Sequence, residues 1–194
     1  LRQSLVILQF VVSITLIVCT LIISRQIRMY QTMDLGYKWD EVLYVSLRNQ
    51  SQVQKAFVLR DELLKDADVR SVSVSTSLPT AIYWNGVGFN WEGKDPSEKP
   101  LISMLFADKN FFEVYNIQLK EGQFFTESQD GVIVNRKLAD LIGEDVLAKY
   151  FQDGNEGPKI KILGVVDQFL FNDFKAVEEP LVIFPIVPEE RDWV

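Results

Sequence analysis

Histidine is absent from this chain, and cysteine occurs once, as Cys19. Without histidine the commonest general base and the commonest metal ligand are missing. One thiol cannot close an internal disulfide or build a zinc ribbon. Cys19 also lies inside an apolar run, which argues against thiol redox chemistry. Basic residues are the minority: 20 Lys and Arg stand against 27 Asp and Glu, for a formal charge of −7 over 194 residues. Three of the 20, Arg2, Arg25 and Arg28, fall in residues 1–33, which hold no acid; residues 34–194 keep the other 17 against all 27, a net −10. A surface that acidic repels polyanions, so nucleic acid is not a partner. The length suits one ordinary domain or two small ones.

Catalytic motifs are missing too. There is no G-x-x-x-x-G-K-[ST] to cradle a nucleotide, no G-x-S-x-G elbow, and no S-x-x-K pair. A serine nucleophile would in any case lack its histidine. Asp153-Gly154-Asn155-Glu156-Gly157 carries carboxylates at the wrong spacing for a calcium loop. The acidic pairs Glu178-Glu179 and Glu189-Glu190 read as solvated surface. No catalytic, cofactor-binding or metal-ligating residue is assigned, and no cofactor is expected.

What the chain does have is a long apolar run. Leu5 to Ile23 is nineteen residues without a charge, and as a helix it spans ~28 Å, the hydrocarbon thickness of a bilayer. A buried core helix of that length would show a polar face. A signal peptide would be shorter and end in small residues, whereas this run ends Ile-Ile-Ser-Arg-Gln. A transmembrane helix is the reading adopted. Gln9 and Ser13 lie one turn apart on one face, as residues facing other helices do. Arg2 precedes the run and Arg25 and Arg28 come after it, too few charges to set orientation.

Helical spacing of Ile27, Tyr30 and Met33 extends the pattern to Gly36, a natural left-handed terminator. A helix from Arg2 to Met33 is ~48 Å long and makes a stalk beyond the bilayer; the alternative is a short juxtamembrane linker. Gln9, Ser13, Arg25, Gln31 and Gly36 are the candidate coupling positions. Opening on Leu1 and closing on Trp193-Val194, the sequence reads as a fragment, with Trp193 either an interface anchor or a loop residue.

The remainder, residues 34–194, reads as an α+β domain. Glu41–Leu47 alternates as a strand. Ser51 and Gln54 form a capping box for a helix whose apolar face is Val53, Ala56, Phe57, Leu63, Leu64 and Ala67, with Asp61 and Lys65 paired outside. Val69–Ser75 alternates again, completing a β-α-β unit. Further strands are expected at 101–106, 131–134, 159–166 and 181–184. Asp108 is expected to cap a short helix through Phe111, Phe112 and Tyr115, and Gly122 to make a turn. Asn135 should cap a helix with Leu138, Leu141 and Ile142 inward and Gly143 as its stop. Gln152–Pro158 reads as a hairpin or loop. Strands and helices do not alternate regularly, which selects α+β over α/β. Between Ile82 and Trp91, Tyr83, Trp84, Phe89 and Trp91 interleave with Gly and Asn, as on a contact surface. Phe89 and Trp91 also have strand spacing, so burial of alternate residues explains them equally.

Three stretches together resemble the extracytoplasmic core of MacB-like and FtsX-like ABC-transporter permeases. They are DKNFFEVYNIQLKEGQFF (108–125), GVIVNRKLADLIG (131–143), and ILGVVDQFLFNDF (162–174) with EEPLVIFP after it. The opening LRQSLVILQFVVSITLIVCTLIISRQIRMYQTMDLGY is similar to the first helix of one half of the larger permeases. Two departures stand out: the family usually has Gly-Arg at Gly122-Gln123, and a Gly-Lys pair ahead of the late strand is not evident. The resemblance implies a transmembrane helix and stalk at 1–33 and an extracytoplasmic domain at 34–194. That domain would have one subdomain at about 37–80 plus 160–194, and a second inserted at about 81–159. It further implies a non-enzymatic permease of the cell (inner) membrane, working as a dimer with a separate ATP-binding subunit, membrane lipid and a periplasmic adaptor or lipoprotein. Its task would be export, extraction or mechanotransmission driven by cytoplasmic ATP hydrolysis. The competing reading is the extracytoplasmic ligand-sensing domain of a membrane signalling receptor; an anchored hydrolase is disfavoured by the missing motifs.

Residues 34–194 contain their own strands, caps and apolar faces, and neither Cys nor His. Expressed alone, they should melt in one cooperative transition that neither chelator nor reductant shifts. A lower melting temperature in chelator would reveal a metal site.

Overall fold

The computed structural model describes residues 2–47, 55–126, 131–154, 156–171 and 179–186. Two compact units divide at Asp34. The first is α1 (Arg2–Thr32), a 31-residue helix about 46 Å long. Its stretch Arg2–Met29 is long and apolar enough to cross a membrane, and none of that window is buried. The hydroxyls of Thr15 and Thr20 donate to the carbonyls of Val11 and Leu16 at 2.8 Å, so they carry no unmet hydrogen bond into an apolar medium. The helix ends four residues before Gly36, not at it. Gly36 does take the left-handed φ of +77°, in a bend of the second unit.

The second unit, from Leu35 onward, is built on an eight-stranded sheet among the described residues, ordered β1-β3-β8-β5-β7-β6-β2, with β4 also on β7. The strands are β1 (Asn85–Gly86), β2 (Asn90–Trp91), β3 (Ile102–Ala107), β4 (Leu119–Gly122), β5 (Val132–Asn135), β6 (Tyr150–Gln152), β7 (Lys159–Val166) and β8 (Leu181–Pro185). β3 with β8 and β5 with β7 are parallel; the other pairs are antiparallel. β7 is the common neighbour. β5 runs along one edge, while β6 pairs with Lys159–Lys161 and β4 with Gly164–Val166 on the other.

Strands buried on both faces read as unbroken apolar runs, as Val132–Val134 of β5, Ile162–Val166 of β7 and Leu181–Ile183 of β8 do, while Lys159 and Lys161 keep the start of β7 exposed. Ile133, Leu163, Val166, Leu181 and Ile183 face one cluster, capped by Phe111, Phe112 and Tyr115 around α3 (Phe111–Val114). Val132, Val134, Ile162, Val165 and Val182 face the other, covered by Leu138, Ala139 and Ile142 of α4 (Arg136–Ile142). Pairings of β7 and β8 with β3, β5 and β6 join residues on both sides of position 159 in one sheet.

Several expected elements take another form. Glu41 has φ +65° and residues 42–47 are irregular, with Leu43 97 % exposed. Alternation marks a strand only where a neighbouring edge satisfies the backbone, and no described strand pairs with 41–47. Residues 69–75 lie beside the end of β3 but share only the bridge Ser75–Ala107, with Thr76 N–H on the Phe106 carbonyl and Asp108 N–H on that of Val74. The intervening helix, α2 (Ala56–Leu63), buries only Ala56 fully; Leu63, Leu64 and Ala67 are exposed. Lys65 pairs with Glu62 rather than Asp61, which pairs with Arg60. Leu141 turns outward and Ala139 inward. Asn110, not Asp108, occupies the cap of α3, although the Asp108 carboxylate accepts the Asn110 N–H. The capping box Ser51–Gln54 and the residues Val53, Asn155, Glu178, Glu189, Glu190 and Trp193 lie outside the described residues.

Asn135 caps α4 as its position demands and does more besides. Its Oδ1 accepts from Leu138 N–H at 3.0 Å and from Leu181 N–H at 2.9 Å. Its Nδ2 donates to the Glu179 carbonyl at 2.8 Å and to Gln168 Oε1 at 3.1 Å. Replacing this fully buried residue with Ala orphans two amides and a carbonyl. Asn135→Ala should therefore cost on the order of 3 kcal/mol or more, read as a lower urea midpoint at unchanged m.

Candidate functional site

The coupling candidates Gln9, Ser13, Arg25 and Gln31 are all exposed along α1. Gln9 and Ser13 share a face one turn apart; Gln31 lies in the last turn, one residue before the helix ends at Thr32. Gly36 stands apart from these four, within the second unit, where its backbone is packed against residues 168–169. An added Cβ would meet the Gln168 carbonyl oxygen at 2.6 Å and Phe169 Cα at 2.9 Å. Both the positive φ and this close approach require glycine.

Beside Gly36 is an arrangement that local sequence patterns do not reveal. Tyr37 is buried, its ring meeting those of Tyr115 (6.2 Å, 86°) and Phe169 (6.1 Å, 86°) edge-on. The Lys38 N–H donates to the Tyr115 carbonyl at 2.8 Å, and the Leu170 N–H to that of Leu35 at 2.9 Å. The only sequence signal for this clamp is an aromatic directly after a glycine. A second feature hidden from the sequence is a buried carboxylate. Asp108 receives Ser73 Oγ at 2.7 Å, Asn110 N–H at 3.2 Å and the Arg60 guanidinium at 3.3 Å, which ties α2 to the β3–α3 turn.

The four aromatics of 82–91 are not one surface. Phe89 and Trp91 are core, Phe89 stacking on Phe151 at 5.2 Å and Trp91 lying under the Lys94 ammonium. Tyr83 and Trp84 are 78 % and 57 % exposed beside Val87 and Leu101, at the β1 edge of the sheet. Trp84 rests edge-on against Phe106, which fixes its ring while leaving its outer side open. Among the described residues no group of three or more His, Cys, Asp or Glu could hold a metal ion.

Tyr83 and Trp84 leave an exposed aromatic edge beside β1, and the Ser73–Asp108–Arg60 group is hydrogen-bonded and ion-paired within itself. Burial raises the Tyr37 pKa above its ordinary value, and the neighbouring Tyr115 adds to the rise; burial alone raises Tyr115. A folded-state pKa raised above the unfolded one gives stability fully present below the unfolded value and lost as pH climbs through the folded one. The chain should therefore hold its stability up to about pH 10 and lose it above. In Tyr37→Phe that alkaline loss should be smaller, measured by urea midpoints across pH 8–12.

A family model described as a MacB-like periplasmic core domain matches residues 4–189. Among solved structures, the chain is similar to the periplasmic region of MacB from Actinobacillus actinomycetemcomitans, at 17% identity and TM-score 0.46, covering 67% of this chain and 54% of that one. It is also similar to the extracellular domain of the noncanonic ABC-type transporter YknZ from Gram-positive bacteria, at 14% identity and TM-score 0.36, covering 52% of each. The chain thus spans about half the length of these structures. No curated protein matches it.

Proposed function

Because the chain belongs to the family of MacB-like periplasmic core domains, we propose that it couples ATP hydrolysis on a separate cytoplasmic subunit to movement outside the membrane. It is the extracytoplasmic part of an ABC-transporter permease, carried with an apolar helix able to span a membrane. The movement serves export, extraction of a substrate, or activation of a partner. The working unit is a permease dimer in the inner membrane, with an adaptor or lipoprotein bound outside. Tyr83 and Trp84, exposed at the β1 edge, offer a contact surface to such a partner. The observation that carries this reading is the family match along nearly the whole chain, from the apolar helix through β8. The same match favours a permease over a sensor.

Co-purification tests it: the protein extracted from membranes should bring an ATP-binding subunit with it. If it instead brings a histidine kinase or nothing that binds ATP, the permease reading fails.

Coupling makes a second demand. α1 runs unbroken to Thr32, so it can carry displacement as a stiff rod. Proline inside a helix removes a backbone hydrogen bond, kinks the axis and costs ~3 kcal/mol. Gln31→Pro should leave ATP hydrolysis by the complex and folding of the outer domain intact while transport or partner activation falls sharply. Gln31→Ala, which keeps helix propensity, should be near neutral. Normal transport by the proline variant would make the segment a flexible linker.

A further inference from the structure

The backbone hydrogen bonds and ring contacts that tie the second unit's leading segment to distant residues are concentrated in its first four residues. Leu35 and Lys38 form backbone hydrogen bonds to Leu170 and Tyr115, Gly36 lies against Gln168 and Phe169, and the Tyr37 ring is wedged between those of Tyr115 and Phe169. Residues 39–47 are held more loosely, with only partly buried Val42 packed against the core cluster. Trp39, Leu43, Tyr44 and Val45 are exposed, and the backbone bond from Val42 to Trp39 closes only a local turn. Residues 168–170 come directly after the end of β7 at Val166, and β7 is the strand that pairs with β4, β5 and β6. A pull on residue 35 is thus handed across the clamp to the most connected strand of the sheet. Without the clamp, the pull would first straighten the exposed segment 39–47 and be absorbed as slack.

We propose that Leu35–Lys38 is the point at which displacement of the membrane helix enters the outer domain, with Tyr37 as the positioning residue that removes the slack. The proposal rests on the permease reading above and adds to it the residues through which load passes. Phenylalanine keeps both edge contacts of the Tyr37 ring; alanine loses both.

The test is mechanical. The full chain in detergent, with Cys19→Ser, Asp34→Cys and Glu144→Cys, is held through DNA handles in an optical trap. With Tyr37 or with Tyr37→Phe, the domain should unfold in one event. In Tyr37→Ala, a low-force step should come first, on the order of 40 Å, as about a dozen residues peel away. Trp39→Ala, which alters the loose segment only, should leave the trace unchanged. The proposal is overturned if Tyr37→Ala unfolds in one event at the unaltered force, or if the early step already occurs with Tyr37 present. In the assembled transporter, Tyr37→Ala should lower transport per ATP at least tenfold and Tyr37→Phe should not. A variant that peels in the trap yet transports normally would also reject the proposal, since load would then enter elsewhere. Co-purification of the ATP-binding subunit is read separately, so failure of the permease reading is distinguishable from failure of the clamp.

Discussion

The carboxamide of Asn135 holds the outer domain together at its least forgiving point. Four groups converge on it: the buried amides of Leu138 in α4 and Leu181 in β8, and the half-buried Glu179 carbonyl and Gln168 side chain. Only an amide provides two acceptor sites and two donors in one plane at this reach. Aspartate would keep the acceptors but set a carboxylate against a carbonyl; glutamine would place the same atoms one bond too far. Because β5 ends at Asn135, these bonds fix where β8 enters the sheet and where α4 begins covering it. The apolar faces of β5, β7 and β8 can then interdigitate with the two clusters around them. Burial provides most of the driving force, but it is indifferent to register, and the polar hub is what makes the register unique.

Much of this was legible because the elements concerned are over-determined locally. Ile162–Val166 of β7 and Leu181–Ile183 of β8 are continuous apolar runs, and β7 falls at 159–166 as expected, with Lys159 and Lys161 at its exposed start. Asn135 stands just before a helical pattern with Gly143 just after it, and both do what caps do. Illegible parts are those in which meaning lies in a partner distant in sequence. The alternation at 41–47 is as clean as that of any strand, yet a strand exists only through its neighbour. Tyr37 looks like an ordinary aromatic, since Tyr115 and Phe169 are far along the chain. Asp108 announces a cap by position, whereas Arg60, which neutralises it, sits on a helix whose pattern speaks only of its apolar face. The aromatic stretch shows both cases side by side. The spacing of Phe89 and Trp91 foretells burial, and nothing local separates them from exposed Tyr83 and Trp84.

The buried polar groups brace the structure, Asp108 with three donors and Asn135 with four partners. The sheet is braced on both faces by the two apolar clusters. The chain joins an apolar helix long enough to span a membrane to a braced α+β domain of the MacB-like periplasmic core family.

The order of strands has a consequence for how the domain comes into being. β8, formed by residues 181–185, lies between β3 and β5, which precede it by some 75 and 50 residues. Chains are delivered N-terminus first, and contacts this far apart in sequence are slow to form. Until β8 arrives, β3 has no neighbour on that side, β5 lacks one of its two, and the Asn135 carboxamide has no Leu181 amide to receive. The sheet therefore cannot close until β8 has been delivered. The strands β1 to β7 form an incomplete assembly before that, and the closed sheet appears only after β8 has emerged. A sheet that closes only on β8 is thereby kept pliable while its earlier strands are delivered.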